Sequence, residues 1–135
     1  MKIRLLFLFM IFFSCNINNK KEVLKKLEGQ WFIDEIKYNG VSYKDYLYSN
    51  ALILKEDSKI SIPETQHFEK DKTSTWEVSI IENKIMLSIK SSNLAFKDNY
   101  DVTFMIDNKE RRAMILKSDS IYIKAHKFML NHNDW

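Results

Sequence analysis

The chain is poor in cysteine, which forms disulfides, and in proline and glycine, which interrupt regular secondary structure. It has one cysteine, one proline and two glycines among 135 residues. A single cysteine permits no internal disulfide, which excludes a small domain held together by disulfides. The scarcity of glycine and proline excludes collagen-like and low-complexity chains. With 45% hydrophobic and 13% aromatic residues, the chain has enough apolar surface to fold, and its length suits one domain.

The first fifteen residues have the pattern of a secretory leader. Lys2 and Arg4 form a short basic start, and residues 5–13 are uncharged and apolar. This run is too short for a membrane-spanning helix, which needs about 20 residues, but it suits the apolar part of a signal peptide. Ser14 and Cys15 follow, and this ending resembles the lipobox of bacterial lipoproteins. The competing interpretation is a core or free cysteine that happens to follow an apolar start.

The lipobox resemblance implies how the chain is divided and where it resides. It implies a signal peptide at 1–14, a polar tether at 15–21 and a folded domain at 22–135. Cys15 would become the N-terminus and carry lipid chains, palmitate among them, that anchor the protein to a membrane of the bacterial cell envelope. Asn16, rather than an aspartate, follows the cysteine. By the same resemblance this favours the outer membrane.

The charge balance argues against nucleic acid as a partner. The formal net charge is +3, but two of the basic residues belong to the leader, so the mature chain is close to neutral. Nucleic-acid binding requires clustered positive charge that neutralises phosphates. We therefore expect contact with the membrane through the lipid and no nucleic-acid partner.

A short helix and then a series of strands are predicted in the folded domain. Val23, Leu24 and Leu27 have helical spacing within residues 22–27, and Gly29 is suited to ending that helix. From Gln30 onward, apolar and polar residues alternate, as strands with one buried face require. The predicted strands are Gln30–Tyr38, Ala51–Glu56, Lys59–Ile62, Ser74–Ile81, Lys84–Lys90, Tyr100–Asp107, Arg111–Lys117 and Ser120–Phe128.

Short polar turns between the predicted strands set the fold class. Pairs such as Glu82-Asn83 and Ser118-Asp119 favour hairpins, so consecutive strands are expected to be antiparallel neighbours. Eight strands with one apolar face can bury that face by closing on themselves. The sequence therefore predicts an all-β, eight-stranded antiparallel up-and-down barrel preceded by a short N-terminal helix. A two-sheet sandwich is the competing architecture.

Three short motifs resemble those of lipocalins, and of small bacterial lipocalin-like lipoproteins in particular. A short helix leads through Gly29-Gln30-Trp31 into the first strand, as in the G-x-W opening of lipocalins. Thr75-Trp76 lies on a mid-chain strand, and a late hairpin spans residues 116–121. The chain has no T-D-Y motif, and no arginine was found on the last strand of the kind that covers the G-x-W tryptophan in animal lipocalins. The resemblance implies a lipocalin-like barrel.

The candidate ligand-binding residues are aromatic. Trp31 and Trp76 are expected in the barrel core, with ligand contact as the second interpretation, and Phe104 is expected to face inward with them. Tyr43 and Tyr46 lie in a tyrosine-rich segment, residues 41–50, and the resemblance implies that this first loop covers the open end of the barrel. Three further residues are predicted to face inward: Val78, Leu87 and Val102.

No recognised catalytic or metal-binding motif occurs in the sequence. It lacks a G-x-S-x-G elbow, a glycine-rich phosphate loop and an H-E-x-x-H pair. His67, His126 and His132 are scattered without metal-ligand spacing. A buried carboxylate pair among Asp34, Glu35 and Glu77 is one alternative, but alternation along the strands favours solvated side chains for these residues. We therefore expect no enzyme activity, no cofactor and no metal.

Two functions are favoured by these features, and a third class, an enzyme with an unrecognised site, would require clustered carboxylates or histidines in a cleft. The first is an envelope-anchored barrel that binds a small apolar or amphipathic ligand in its lumen. The second is a protein-binding module, an inhibitor or an accessory subunit, whose barrel is filled and holds no ligand. A filled lumen with exposed aromatic residues would favour the second function, and an apolar cavity of about 300 Å³ or more would favour the first.

Replacing Cys15 tests the lipid anchor. Cys15→Ser is expected to leave a soluble or unprocessed precursor, because lipidation and the associated cleavage both need the thiol. Membrane fractionation and intact mass measure the outcome. An unchanged mass and unchanged membrane association would contradict the anchor.

Overall fold

Residues 19–128 are described by the computed structural model, in which a helix leads into nine strands. Residues 19–27 are helical (α1), so the helix includes residues 19–21, which the sequence analysis assigned to the tether. Lysine and glutamate are good helix formers, which allows the helix to extend beyond its apolar stripe. The strands are β1 (Gly29–Tyr38), β2 (Val41–Ser42), β3 (Ala51–Leu54), β4 (Ile60–Ser61), β5 (Thr75–Ile81), β6 (Lys84–Lys90), β7 (Asp98–Ile106), β8 (Arg112–Lys117) and β9 (Ile121–Lys127).

Eight of the strands form one nearly closed antiparallel barrel. Their order is β4-β3-β1-β9-β8-β7-β6-β5, so each strand lies beside its chain neighbour and the last strand pairs with the first. At the seam between β4 and β5, the Trp76 N–H donates to the Ser58 carbonyl (2.9 Å) and the Ile60 N–H to the Ser74 carbonyl (3.1 Å). The predicted all-β, up-and-down barrel is confirmed, and the sandwich is excluded.

Turn chemistry explains where the strands differ from their predicted bounds. Asn39 (φ 51°) and Gly40 (φ 79°) turn the chain back on β1, which creates the additional two-residue strand β2. β3 ends at Leu54, before the predicted Glu56, because the Ser58 N–H donates to the Lys55 carbonyl and closes a tight turn there. β7 begins at Asp98, two residues earlier than predicted.

Antiparallel alternation gives the barrel two distinct ends. We call the end where β1 begins the helix end; it carries α1 and the connections 55–59, 82–83 and 107–111. The opposite end, which we call the loop end, carries the connections 39–50, 62–74, 91–97 and 118–120. Most of the longer connections therefore lie at the end away from α1.

Side chains fill the interior of the barrel. The inward-facing residues with essentially no accessible surface are Trp31, Ile33, Ile36, Leu52, Leu87, Tyr100, Met114, Leu116, Ile123 and Ala125, which come from six strands. A side chain whose accessible surface is essentially zero has no adjacent space large enough for a water molecule. Of the other residues predicted to face inward, Val78 and Val102 are buried and Phe104 is half-buried.

A plug from the 91–97 connection closes the loop end. Phe96 is fully buried, and the Tyr100 hydroxyl donates a hydrogen bond to the Phe96 carbonyl. The Asn93 side-chain oxygen accepts the Ala95 N–H (3.1 Å) and shapes the turn. Burial, together with the nearby Asp98 charge, raises the pKa of the Tyr100 hydroxyl well above its ordinary value, so the hydroxyl remains a donor.

Trp31 closes the helix end. Its indole N–H donates to the Leu27 carbonyl (2.8 Å), which ties β1 to α1. Lys127, opposite Trp31 in the β1–β9 register, places its ammonium 5.4 Å from the centre of the indole ring and donates to the Lys26 carbonyl (2.7 Å). Gly29 has φ +121°, and a Cβ there would lie 3.2 Å from the Lys127 side chain. The positive φ therefore favours glycine at position 29, and a larger residue there would also require the Lys127 side chain to shift by a few tenths of an ångström.

Truncating Trp31 tests this closure. Trp31→Ala is expected to lower the free energy of unfolding by about 3–5 kcal/mol, as large-to-small core changes do. Tyr46→Ala, in the first loop, is the control and is expected to cost less than about 1 kcal/mol. Chemical denaturation followed by fluorescence of the remaining tryptophans measures both variants. A Trp31→Ala midpoint equal to that of the parent would refute the closure.

Candidate functional site

The five candidate ligand-binding residues do not converge on one cavity. Trp31 and Phe104 lie at the helix end, where the Lys26 ammonium is 5.6 Å from the centre of the Phe104 ring. Trp76 is buried, and its indole N–H donates to the Lys55 carbonyl (3.0 Å). Tyr43 and Tyr46 lie at the loop end. The predicted lipidation site, Cys15, lies outside the described residues.

Tyr43 and Tyr46 belong to an aromatic cluster at the loop end. We define this aromatic cluster as Tyr38, Tyr43, Tyr46 and His67. The ring centres are 5.1 Å apart for Tyr43–Tyr46, 5.0 Å for Tyr46–His67 and 6.1 Å for Tyr38–Tyr43. Such separations are typical of interacting aromatic pairs. The cluster therefore joins the first loop to the 62–74 connection.

Main-chain hydrogen bonds hold these two loops together. The Tyr48 N–H donates to the Glu64 carbonyl (2.9 Å), and the Gln66 N–H donates to the Tyr46 carbonyl (2.8 Å). The buried Tyr43 hydroxyl also lies 3.4 Å from the Thr65 hydroxyl, to which it donates. The loop backbone is thus fixed in the manner of a short antiparallel ladder.

The paired loops present tyrosine side chains to solvent. Tyr43 is buried beneath the loop, whereas Tyr46 is 38% exposed and Tyr48 is 71% exposed. The short 3-10 turn Lys44–Tyr46 separates the buried tyrosine from the exposed ones. We call the surface formed by Tyr46, Tyr48 and His67 the tyrosine platform. Exposed tyrosines on a fixed backbone provide apolar area and hydroxyl groups at low entropic cost.

A cavity of about 660 Å³ lies beside the tyrosine platform. Its lining consists of Tyr48, residues 64–70 and Lys72. The lining mixes two glutamates and two lysines with only two aromatic residues besides His67. It is a surface feature of the loop end and is lined by none of the fully buried barrel residues.

Asp71 links the 62–74 connection to the 91–97 connection, which carries the buried Phe96. Its carboxylate accepts the Thr73 N–H (2.8 Å), the Thr73 hydroxyl (2.6 Å) and the Ser92 N–H (2.8 Å). These hydrogen bonds, with the Thr73 hydroxyl contributing most, hold the pKa of Asp71 well below its ordinary value. The 62–74 and 91–97 connections therefore support each other.

A second polar cluster lies where β1, β9 and the β7–β8 turn meet. The His126 Nδ1 is 2.9 Å from one Asp34 oxygen, and the Arg111 guanidinium contacts Asp34 (3.5 Å) and Asp107 (2.7 Å). Asp34 lies at an irregularity in the β1–β9 register between Ile33 and Glu35. Asp34 is therefore not simply solvated, as strand alternation predicts, and the sequence gives no sign of this cluster because its members are far apart in the chain.

Asp107 fixes the β7–β8 turn. One carboxylate oxygen accepts the Lys109 and Arg111 N–H groups, both at 2.9 Å, while the other binds the Arg111 side chain. Burial acts to raise the pKa of Asp107, but the Arg111 side chain and the two N–H groups outweigh burial and lower the pKa to about 2. This cluster is a structural tie between strands. Within residues 19–128, no group of three potential metal ligands occurs.

Comparison of the chain with protein families, with curated proteins and with solved structures finds no significant match. In the described part of the chain, α1 is too short to cross a membrane and no other helix reaches the required length and hydropathy. Function is therefore inferred from the geometry of the described residues.

The lowered pKa of Asp107 predicts an acid-sensitive turn. The carboxylate contributes stability above the ordinary aspartate pKa of about 3.9, and this stability is lost as the pH falls through about 2. Asp107→Asn is expected to be less stable at neutral pH and to lose less further stability between about pH 4 and pH 2. Urea unfolding across that range measures the slope. The exposed Asp101→Asn is the control, and an unchanged slope in Asp107→Asn would contradict the role of this carboxylate.

Proposed function

We propose that the chain is an envelope-anchored, protein-binding domain, acting as an inhibitor or accessory subunit, in which the barrel is a rigid support. The observation that carries this proposal is the filled lumen, since residues from six strands have essentially no accessible surface. A pocket for a drug-sized ligand requires about 300–1,000 Å³. The alternative of a small apolar ligand in the lumen has less support, because Phe96 and Trp31 occupy the two ends.

The position of the proposed anchor supports recognition at the loop end. Cys15 precedes the helical residues 19–27 by four positions, which span at most about 14 Å. The helix is attached to the start of β1 by the Trp31–Leu27 hydrogen bond. A lipid on Cys15 would therefore hold the helix end near the membrane and leave the tyrosine platform facing away from it.

The composition of the loop end supports a protein as the partner. Tyrosine is enriched at the centre of protein interfaces and supplies large contact area with few rotatable bonds. Tyr48 and Val41 are mostly exposed, and Tyr46 is partly exposed, on loops whose backbone is already fixed. Because the loops are ordered before binding, less conformational entropy is lost when a partner docks.

Native mass spectrometry of the protein from its own membranes tests this function. We expect a protein partner to remain bound and no small apolar molecule to accompany the chain. The double variant Tyr46→Ala/Tyr48→Ala is expected to lose the partner by at least about tenfold in affinity, which is about 1.4 kcal/mol. The control is Ile106→Ala, which removes an exposed apolar side chain at the helix end.

Two outcomes would contradict the proposal. One is a single small molecule of defined mass bound to the barrel without a protein partner. The other is equal loss of the partner in the platform variant and in Ile106→Ala, since this would show that the platform has no special role.

A further inference from the structure

The strands β4 and β5, which meet at the seam of the barrel, separate toward the helix end. β5 is joined to the β4 side only near Ser58–Trp76, because the chain before Ser58 curls into the Lys55–Ser58 turn. Beyond this point, β5 continues to Ile81, and among residues 19–128 its only strand partner there is β6. The second half of the β5 edge that faces the seam is therefore not paired with any other strand of the described chain.

Strand geometry identifies the unpaired groups. The Trp76 N–H points across the seam to Ser58, and alternate residues of a strand direct their main-chain groups to the same side. The N–H and C=O of Val78 and Ile80 must then also face the seam, and no main-chain hydrogen bond reaches them there from residues 19–128. Val78 is only 2% exposed, so bulk water satisfies its seam-facing groups poorly.

A cavity of about 390 Å³ lies at this split. We call it the seam cleft. Leu24 of α1, together with Trp76 and Val78 of β5, provides its apolar part. The remaining lining is polar: Lys20, Glu28, Glu56, Ser58, Thr75, Glu77, Ser88 and Lys90. The cleft thus combines an unpaired strand edge, an apolar wall and a charged rim.

The charges around the cleft favour a cationic group. Three glutamates face two lysines in the lining, which leaves a net negative rim. Burial raises the pKa of Glu28, and the negative charge of Glu56 raises it further, while Lys127 acts in the opposite direction. Glu28 and Glu56 therefore repel each other across the cleft, and a cation placed between them would relieve this repulsion.

We propose that the seam cleft binds an extended segment of a partner protein by strand addition to β5, with a lysine or arginine side chain inserted between Glu28 and Glu56. The main chain of the segment would pair with Val78 and Ile80. The aliphatic stem of the inserted side chain would lie against Leu24 and Trp76, leaving its charge at the rim. This site lies at the helix end and is separate from the tyrosine platform.

Synthetic peptides added to the full-length chain in detergent micelles test the proposal. The first peptide has alternating threonine and valine around one central lysine, and amide chemical shifts report where it binds. We expect shifts at Val78 and Ile80 and none at Tyr48. Replacing the lysine by norleucine, which keeps the stem and removes the charge, is expected to weaken binding by about tenfold, and glutamate by more.

Two further probes separate strand addition from simple capture of a cation. A peptide with the same sequence but N-methylated main-chain amides cannot donate to a strand edge, so its binding is expected to be lost. Butylamine carries the ammonium without a peptide, and it is expected not to move the Val78 and Ile80 amides. Equal binding of butylamine and the lysine peptide would overturn strand addition.

Protein variants complete the test. Glu28→Gln/Glu56→Gln is expected to weaken the lysine peptide by about tenfold and to leave the norleucine peptide unchanged. The exposed Glu110→Gln, in the β7–β8 turn, is the matched control. The proposal is overturned if the lysine and glutamate peptides bind equally, or if no peptide shifts the amides of β5. Neither result would affect the platform proposal, since that surface is tested by Tyr46→Ala/Tyr48→Ala.

Discussion

The closure of the helix end by Trp31 organises the rest of the molecule. One indole ring connects three elements, because it bonds to α1 through Leu27, belongs to β1 and lies beneath Lys127 of β9. β1 also pairs with β9 through its main chain, and this pairing of the first strand with the last converts an eight-stranded meander into a barrel. Between this end and the buried Phe96 at the loop end, the interior is filled by side chains with essentially no accessible surface.

A filled barrel changes where recognition can occur. In a hollow barrel the specificity lies in the lumen, whereas here the described interior has no space against most of its inward side chains. Two outer features remain: a rigid, tyrosine-bearing loop surface and a split between β4 and β5. The first results from main-chain hydrogen bonds between loops, and the second from the Lys55–Ser58 turn. In both features, the fold itself orders the backbone, so no partner is needed to order it.

The fold was predictable from the sequence, and the surface was largely not. Alternation at Trp76, Val78 and Ile80 and the polar turns identify strands directly, because burial of one face imposes a period of two. Lys127 was not identified as the cover of Trp31, since the expected residue type was arginine. The Asp34–His126–Arg111 contacts and the Tyr48–Glu64 ladder were also missed, because they join distant residues and depend on register and loop conformation.

The pairing of the first strand with the last has a consequence for how the protein is made. β9 is the last strand of the barrel in chain order, so β1 has no partner on that side until all the other barrel strands have been made. Contacts between distant parts of a sequence also form slowly. Until then, β1 and β8 expose unpaired edges, which are prone to association with other chains. A lipid at the N-terminus would hold this incomplete sheet at a membrane, apart from other unfolded chains, until β9 arrives.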